Sequence, residues 1–453
     1  MSITFAFIKN NMRKHKKPFI NLVKTLSLIS AFLCLSCNKN DITSSENESS
    51  YHKPFIVDLD GEFVAEDYIK VKGAKLVNQR NEEIHLKGFN VGGLFVTESW
   101  MSAPRMSEGK TDHLTLTNAL YQRFGEEKTL NIWHKFRENF WTEDDLENAH
   151  YMGVNCIRIP FSYMSLDPAY HNVPKKEGQE FNFDYLDEFV EGCARYHIYV
   201  ILDLHGAYGS HNGQDHSGEL LYDANEVDFF RNEEKQNKTI HLWEEIAKHY
   251  KGVNSIAAYD LLNEPGEKAA STEERHFVFY DKLYEAIRKI DTTRPLIMES
   301  CWDGRNLPKP STYQWNDVIY SFHNYSGTSD KDANMNSFIN KLNGVYEEEF
   351  NVPYYMGEFS CYGNYDSWTS TLSYLNEENW HWSSWTYKLA NNQDRYPGWG
   401  IYFSNMDYIY FDTESYEDIV SKLSSLKTTS VQTRKMTFDN GITLERVFKT
   451  NCN

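Results

Sequence analysis

Ile256-Ala257-Ala258-Tyr259-Asp260-Leu261-Leu262-Asn263-Glu264-Pro265 is an apolar, strand-like run that ends on a glutamate and is closed by a proline. A second run, Val352 to Met356, is followed in the same way by Gly357-Glu358-Phe359. A carboxylate at the end of a buried strand is costly unless it has partners. Two such residues at two strand ends point to a pair held together for chemistry.

Working outward from these runs, strand-like segments alternate with helical ones. Strands are expected at Leu86 to Asn90, Val154 to Ile159, Tyr199 to Leu204, Ile256 to Leu262, Leu296 to Glu299, Val318 to Phe322, Tyr354 to Met356 and His381 to Trp385. Thr142 with Asp145 three residues later is an N-cap signal, and Gly153 ends that helix. Asp184 to Tyr196 places Leu186, Phe189, Val190 and Cys193 on one helical face. Helices at Lys235 to Tyr250, Thr272 to Ile290 and Glu414 to Leu426 complete the pattern. Eight strands with helices between them are the scale of an α/β (β/α)₈ barrel. An N-terminal hairpin turning at Arg80-Asn81 and a long insertion over 91 to 141, after strand 1, are the expected additions. Both glutamates then close strands 4 and 7, on the face where such barrels carry their sites.

Other polar residues fall at strand ends in the same order. They are Arg158 in Ile157-Arg158-Ile159-Pro160, His205 in Asp203-Leu204-His205-Gly206, Asn263 beside Glu264, His323-Asn324-Tyr325, and Trp385. Paired carboxylates of this kind cleave glycosidic bonds, one as proton donor and the other as nucleophile or base. A nucleophile needs cationic donors, whereas an acid needs an apolar site and a neighbouring negative charge.

The ordered set resembles glycoside hydrolase family 5, a (β/α)₈ family of retaining enzymes. The resemblance implies that Glu264 is the general acid/base and Glu358 the nucleophile, with no metal or organic cofactor. It implies that Asn263 binds the sugar 2-hydroxyl, that Arg158 and Tyr325 keep Glu358 ionised, that His205 and His323 line the cleft, and that Trp385 floors the reacting subsite. The segments Asn90 to Trp100, Trp141 to Leu146 and Leu204 to Gly213 resemble the exo-β-1,3-glucanase group, in which the glutamate matching Glu98 holds the terminal sugar. His211, Gln214 and His216 depart from that group's pattern. Tyr362, Trp368, Tyr396 and Trp399 are candidates for stacking on an acceptor sugar. The expected activity is exo-attack on β-glucan or β-gluco-oligosaccharides. Alternatives are an endo-β-glucanase, a glucosidase on lipid- or sterol-linked glucose, and, from another class, a non-catalytic glycan-binding lipoprotein, which the presence of both glutamates argues against.

The chain has 453 residues and a formal charge of −19. Its cationic leader makes the remainder more acidic still, which excludes a phosphate-backbone partner. Arg13, Lys14, Lys16 and Lys17 precede an apolar run, Leu26 to Leu35, too short to span a bilayer. Ser36-Cys37 at its end resembles a bacterial lipobox, with Cys37 lipidated, and Asn38 to Ser50 reads as a polar tether. The expected division is a lipoprotein signal at 1–36, a tether at 37–65, a catalytic domain at 66–430 and an unplaced tail at 431–453. The implied setting is a lipid-anchored monomer on a bacterial envelope, at the periplasmic or surface face of the outer membrane, with secretion as the alternative. Cys156, Cys193, Cys301, Cys361 and Cys452 are odd in number and widely spaced, giving neither a disulfide framework nor a zinc motif.

Overall fold

Eight parallel strands close into a barrel in the computed structural model, which describes residues 58–223, 225–266, 273–300, 304–389, 398–403, 407–426 and 435–452. In chain order they are β1 (Lys87–Asn90), β2 (Cys156–Ser162), β3 (Tyr199–Gly206), β4 (Ile256–Asp260), β5 (Leu296–Glu299), β6 (Val318–Asn324), β7 (Tyr354–Phe359) and β8 (His381–Ser384). Each pairs with its neighbours in sequence, and β8 pairs with β1 to close the ring. Helices Asp184–Arg195, Glu233–His249, Glu273–Arg288, Lys331–Tyr346 and Tyr365–Glu377 cover the outside between successive strands. The expected (β/α)₈ barrel is the observed fold, and all eight expected strands are present.

Burial on both faces explains why these strands read as near-continuous apolar runs. Strand periodicity sorts their residues. Val200, Leu202 and Leu204 face the helices, as do Leu296 and Met298, Tyr320 and Phe322. Cys156, Ile201, Ala258, Ile297, Ile319 and Tyr355 join an inner cluster with Phe63, Ile69, Leu76 and Leu86 from the N-terminal segment. That cluster is the apolar floor of the barrel. Residues two positions farther along the same strands therefore also point inward, above it.

The N-terminal elements differ from the reading at their edges. Lys70–Lys72 pairs with Lys75–Val77 across Gly73, whose φ of 62° suits glycine. The Arg80-Asn81 turn closes a second, looser loop, with a single bridge between Val77 and Glu83. Packing begins before residue 66: the Glu62 N–H donates to the Ala194 carbonyl at 3.1 Å, and Phe63 is buried. The insertion after β1 folds as His113–Phe124 and Glu126–Phe140. Helix Glu143–Tyr151 follows it and leads into β2. Thr142 and Asp145 form a capping box, and the buried Asp145 also takes Lys388 at 2.8 Å and the Tyr387 hydroxyl at 2.9 Å. One helix start thus fixes the segment that leaves β8.

The tail contains helix Leu444–Cys452. Its Phe448 packs on Trp382 of β8 and on Trp368, with ring centroids 5.7 and 6.0 Å away. Phe448→Ala is expected to cost about 3–5 kcal/mol, as for other buried aromatic truncations, measured by denaturant unfolding at neutral pH.

Candidate active site

Above the apolar floor the inward positions turn polar. Two residues beyond Cys156 is Arg158; two beyond Ile201 is Asp203, then His205; two beyond Ala258 is Asp260; two beyond Ile297 is Glu299; and beyond Ile319 come Ser321 and His323. All are buried.

Arg158 organises this layer. Its Nε donates to Asp260 at 2.9 Å, one terminal nitrogen to Asn90 at 3.0 Å and Glu358 at 2.8 Å, and the other to Asn263 at 2.9 Å. Asp203 lies 3.1 Å from that last nitrogen. Four hydrogen bonds and one ion-pair contact thus tie the guanidinium to β1, β3, β4 and its extension, and β7. The second oxygen of Glu358 accepts from the Tyr325 hydroxyl at 2.8 Å.

Glu358 faces inward because β7 is irregular. The pairing of β7 with β6 shifts register between Met356 and Glu358, and such a bulge re-aims the side chain that follows it. Gly357 stands at the shift, where an added Cβ would come within 2.5 Å of Ser321 Oγ and 3.1 Å of His323 Nε2. The glycine is required by close approach.

Glu264 lies beyond the regular end of β4, with a φ of 41° that turns its side chain over the barrel mouth. Left-handed backbone in a residue other than glycine is strain of the kind concentrated at functional sites. Its N–H donates to Glu299 at 2.9 Å. Its Oε1 meets His323 Nδ1 at 2.8 Å, and the same nitrogen is 3.4 Å from Glu358 Oε2. One imidazole nitrogen therefore touches both carboxylates. Their facing oxygens can be no farther apart than the sum of those distances, which is short of the ~6.5–9.5 Å spacing of inverting glycosidases.

Burial pushes the Glu264 carboxyl up to about 7, against the lowering pull of His323. Burial alone would lower His323, but Glu299, Glu358 and the bonded carboxylates outweigh it and hold the imidazole well above its ordinary range. Burial likewise raises Asp260 to about 8 and Asp203 well above a normal carboxylate, with Arg158 opposing in both. Atoms of Glu264, Glu299 and His323 lie within 4.8 Å of one another, a spacing that could hold a cation.

His205 holds Asp203 at 2.6 Å through Nδ1, and burial lowers it to about 3, so the ring is neutral. It stacks on Trp385 at 5.4 Å and 12°. Glu98 sits in the loop after β1, nearly enclosed, and accepts from Trp100 Nε1 at 2.7 Å. Its other oxygen is buried without a hydrogen-bond partner. Burial, reinforced by Asp215, Glu358 and Glu264, raises its carboxyl well above the usual range. Trp399 packs on Trp100, Tyr325 and Tyr362, with centroids 5.1 to 5.2 Å apart.

All strand-end candidates from Arg158 to Trp385 thus converge on one barrel mouth, and Glu98 couples electrostatically to the pair. Trp368 does not join them; it is a core residue whose indole donates to the Tyr362 carbonyl. Tyr396 and Cys37 lie outside the described residues. Asn90, Asp203, Asp260 and Glu299 were missed as partners of the site, although strand alternation from Ile201, Ala258 and Ile297 marks the last three as inward. His216, one of the departures from the exo-glucanase pattern, lies 3.7 Å from Glu264 Oε2.

A buried carboxylate pair at the ends of β4 and β7 of a (β/α)₈ barrel defines the glycosidase class of site. The cellulase model, glycosyl hydrolase family 5, matches residues 118–391, and the chain belongs to that family. A β-xylosidase from Phanerodontia chrysosporium is 33% identical over 267 residues, covering 57% of this chain and 52% of that protein. A glucan 1,3-β-glucosidase from Candida oleophila is 29% identical, covering 53% of this chain and 58% of its own. A probable glucan 1,3-β-glucosidase A from Aspergillus fumigatus is 26% identical, covering 53% and 55%. The chain spans about half the length of these curated relatives. Rutinosidase from Aspergillus niger shares the fold at 15% identity and a TM-score of 0.54, covering 74% of this chain and 94% of that one. These relatives overturn the bacterial-envelope placement: they are fungal proteins, and the lipobox reading rested on a short leader motif that does not identify the source.

Two outcomes follow. Arg158→Lys, a point charge with three donors in place of a five-donor fork, is expected to lower stability by about 3–5 kcal/mol through unpaired buried carboxylates, seen in denaturant unfolding, and to reduce turnover. Glu264 works as an acid when protonated, so kcat/KM is expected to be full below neutrality and to fall as pH rises through about 7.

Proposed function

We propose that the chain is a retaining, exo-acting β-glycosidase working on β-glucan or β-gluco-oligosaccharides, with Glu264 as acid/base and Glu358 as nucleophile. The observation that carries the reading is the meeting of both carboxylates on His323, with Arg158 and Tyr325 on Glu358 alone. In the first step Glu358 attacks the anomeric carbon while Glu264 gives its proton to the departing oxygen. A glycosyl ester on Glu358 results. In the second step Glu264, now ionised, takes a proton from water, which attacks the same carbon and restores the configuration. Asn263, held by Arg158, is placed to bind the 2-hydroxyl, and Trp385 to floor the reacting subsite.

Exo-attack rests on Glu98. Its enclosed, unpartnered oxygen supports a role in holding a terminal sugar, since a buried polar atom left unpaired is costly without a ligand. Glu98 precedes the stretch matched by the family model, so that narrower reading stands on its own geometry. A second reading, a β-xylosidase, is favoured by the 33%-identical relative of that name.

Glu358→Ala is expected to abolish hydrolysis of aryl β-glycosides, and Glu264→Ala to reduce hydrolysis of oligosaccharides by about 10²–10⁴-fold. Full activity in Glu358→Ala sinks the mechanism. Azide is expected to rescue Glu358→Gly with an α-glycosyl azide as product. Comparison of aryl β-glucoside with β-xyloside decides the sugar, and glucose as the sole early product from laminarin, lost on Glu98→Ala, decides for exo-attack.

A further inference from the structure

Glu299 has no part in the two steps above, yet it touches both the acid/base and its histidine. It is fully buried at the end of β5. One oxygen accepts the Glu264 N–H at 2.9 Å, which pins the left-handed residue. The other lies 3.0 Å from His323 Nε2, an ion-pair contact without hydrogen-bond alignment, behind the ring, whose opposite nitrogen faces Glu264 and Glu358. A neutral imidazole carries one N–H, whereas a ring with a carboxylate at each nitrogen is held as the cation.

We propose that Glu299 is a positioning residue for the acid/base, anchoring the Glu264 backbone and keeping His323 an imidazolium between the two catalytic carboxyls. The proposal rests on the reading of Glu264 as acid/base. Its consequence lies in the second step. Once Glu358 is esterified it loses its charge, and His323 loses one of the carboxylates that favour its proton. Glu299 remains, so the cation persists at 2.8 Å from Glu264 when that residue must ionise to act as base. His216 also faces Glu264, 3.7 Å from its Oε2, at longer range than the hydrogen-bonded His323. The Tyr280 hydroxyl bonds backbone groups of Leu262 and Glu299, and Lys341 bonds the His323 carbonyl. Arg158 is taken up by Asp203, Asp260 and Glu358. Ser321 Oγ is neutral.

Two measurements test this. In wild-type protein labelled with ¹⁵N-histidine, the signal lost in His323→Gln is expected to show both ring nitrogens protonated from pH 5 to 8; a neutral ring at pH 7 overturns the proposal. Glu299→Gln keeps the size and an acceptor for the Glu264 N–H. It is expected to give a neutral His323 and a basic limb of kcat/KM moved upward by about one pH unit or more, since the cation beside Glu264 is gone. A limb that stays in place or moves down overturns the proposal. Should that variant not fold, the wild-type spectrum still decides. Full activity in Glu264→Ala would remove the catalytic reading while leaving the ¹⁵N result intact.

Discussion

The guanidinium of Arg158 is a full charge placed inside a closed barrel with no access to water. Such a charge is tolerated only when its hydrogen-bonding capacity is met, and removing one partner of a buried pair costs far more than the pair contributes. The guanidinium hydrogen-bonds to β1, β4 with its extension, and β7 and pairs with Asp203 on β3, so strands distant in sequence are held to one register by a single side chain. Asn90 extends the same tie, donating to the carbonyls of Gly357 and Ser384. The position of Glu358 depends on both. Here the constraint that specifies the barrel's interior and the constraint that places Glu358 are one set of bonds.

Charge in that interior is scarce on the positive side. Arg158 and His323 are the cations, against carboxyls at Asp203, Asp260, Glu264, Glu299 and Glu358. Carboxyls outnumber the positive groups there, in keeping with the upward shifts at Asp203, Asp260 and Glu264. The two carboxyls at the mouth, Glu264 and Glu358, differ in the cations they meet. Glu358 has the permanent cation and a phenol, whereas Glu264 has a strained backbone and a histidine shared with two other carboxylates.

The barrel was legible because parallel strands buried on both faces are largely apolar runs. Tyr199 to Leu204, followed by His205, and Ile256 to Leu262, followed by Asn263-Glu264, also show a polar residue just past the end. Less was visible where polarity lay within a run. Asp203 and Asp260 looked like incidental breaks in a strand, and Glu299 like its end, yet each occupies an inward position two residues above the apolar floor. The bulge at Gly357 left no periodic trace; only the close approach of Ser321 and His323 explains it. Trp368 was read from aromatic content, which does not distinguish a stacking ring from a core one. The tail was unreadable because Phe448 finds its partners, Trp368 and Trp382, far away in sequence.

The same two-residue alternation explains why a site of this kind is robust to sequence change outside it. A barrel strand needs its outward residues only to be apolar and of suitable volume, since they pack on helices that can shift to meet them. Its inward residues are constrained by a floor, then by a charge network, then by the reacting groups, in ascending order along each strand. A substitution at Leu202 or Met298 changes packing against one helix. At Asp203 or Glu299, one position farther, it alters the electrostatic balance shared by Arg158, His323, Glu264 and Glu358. Position along the strand therefore separates residues that support the barrel from residues that set its chemistry, and Glu299 belongs with the second group.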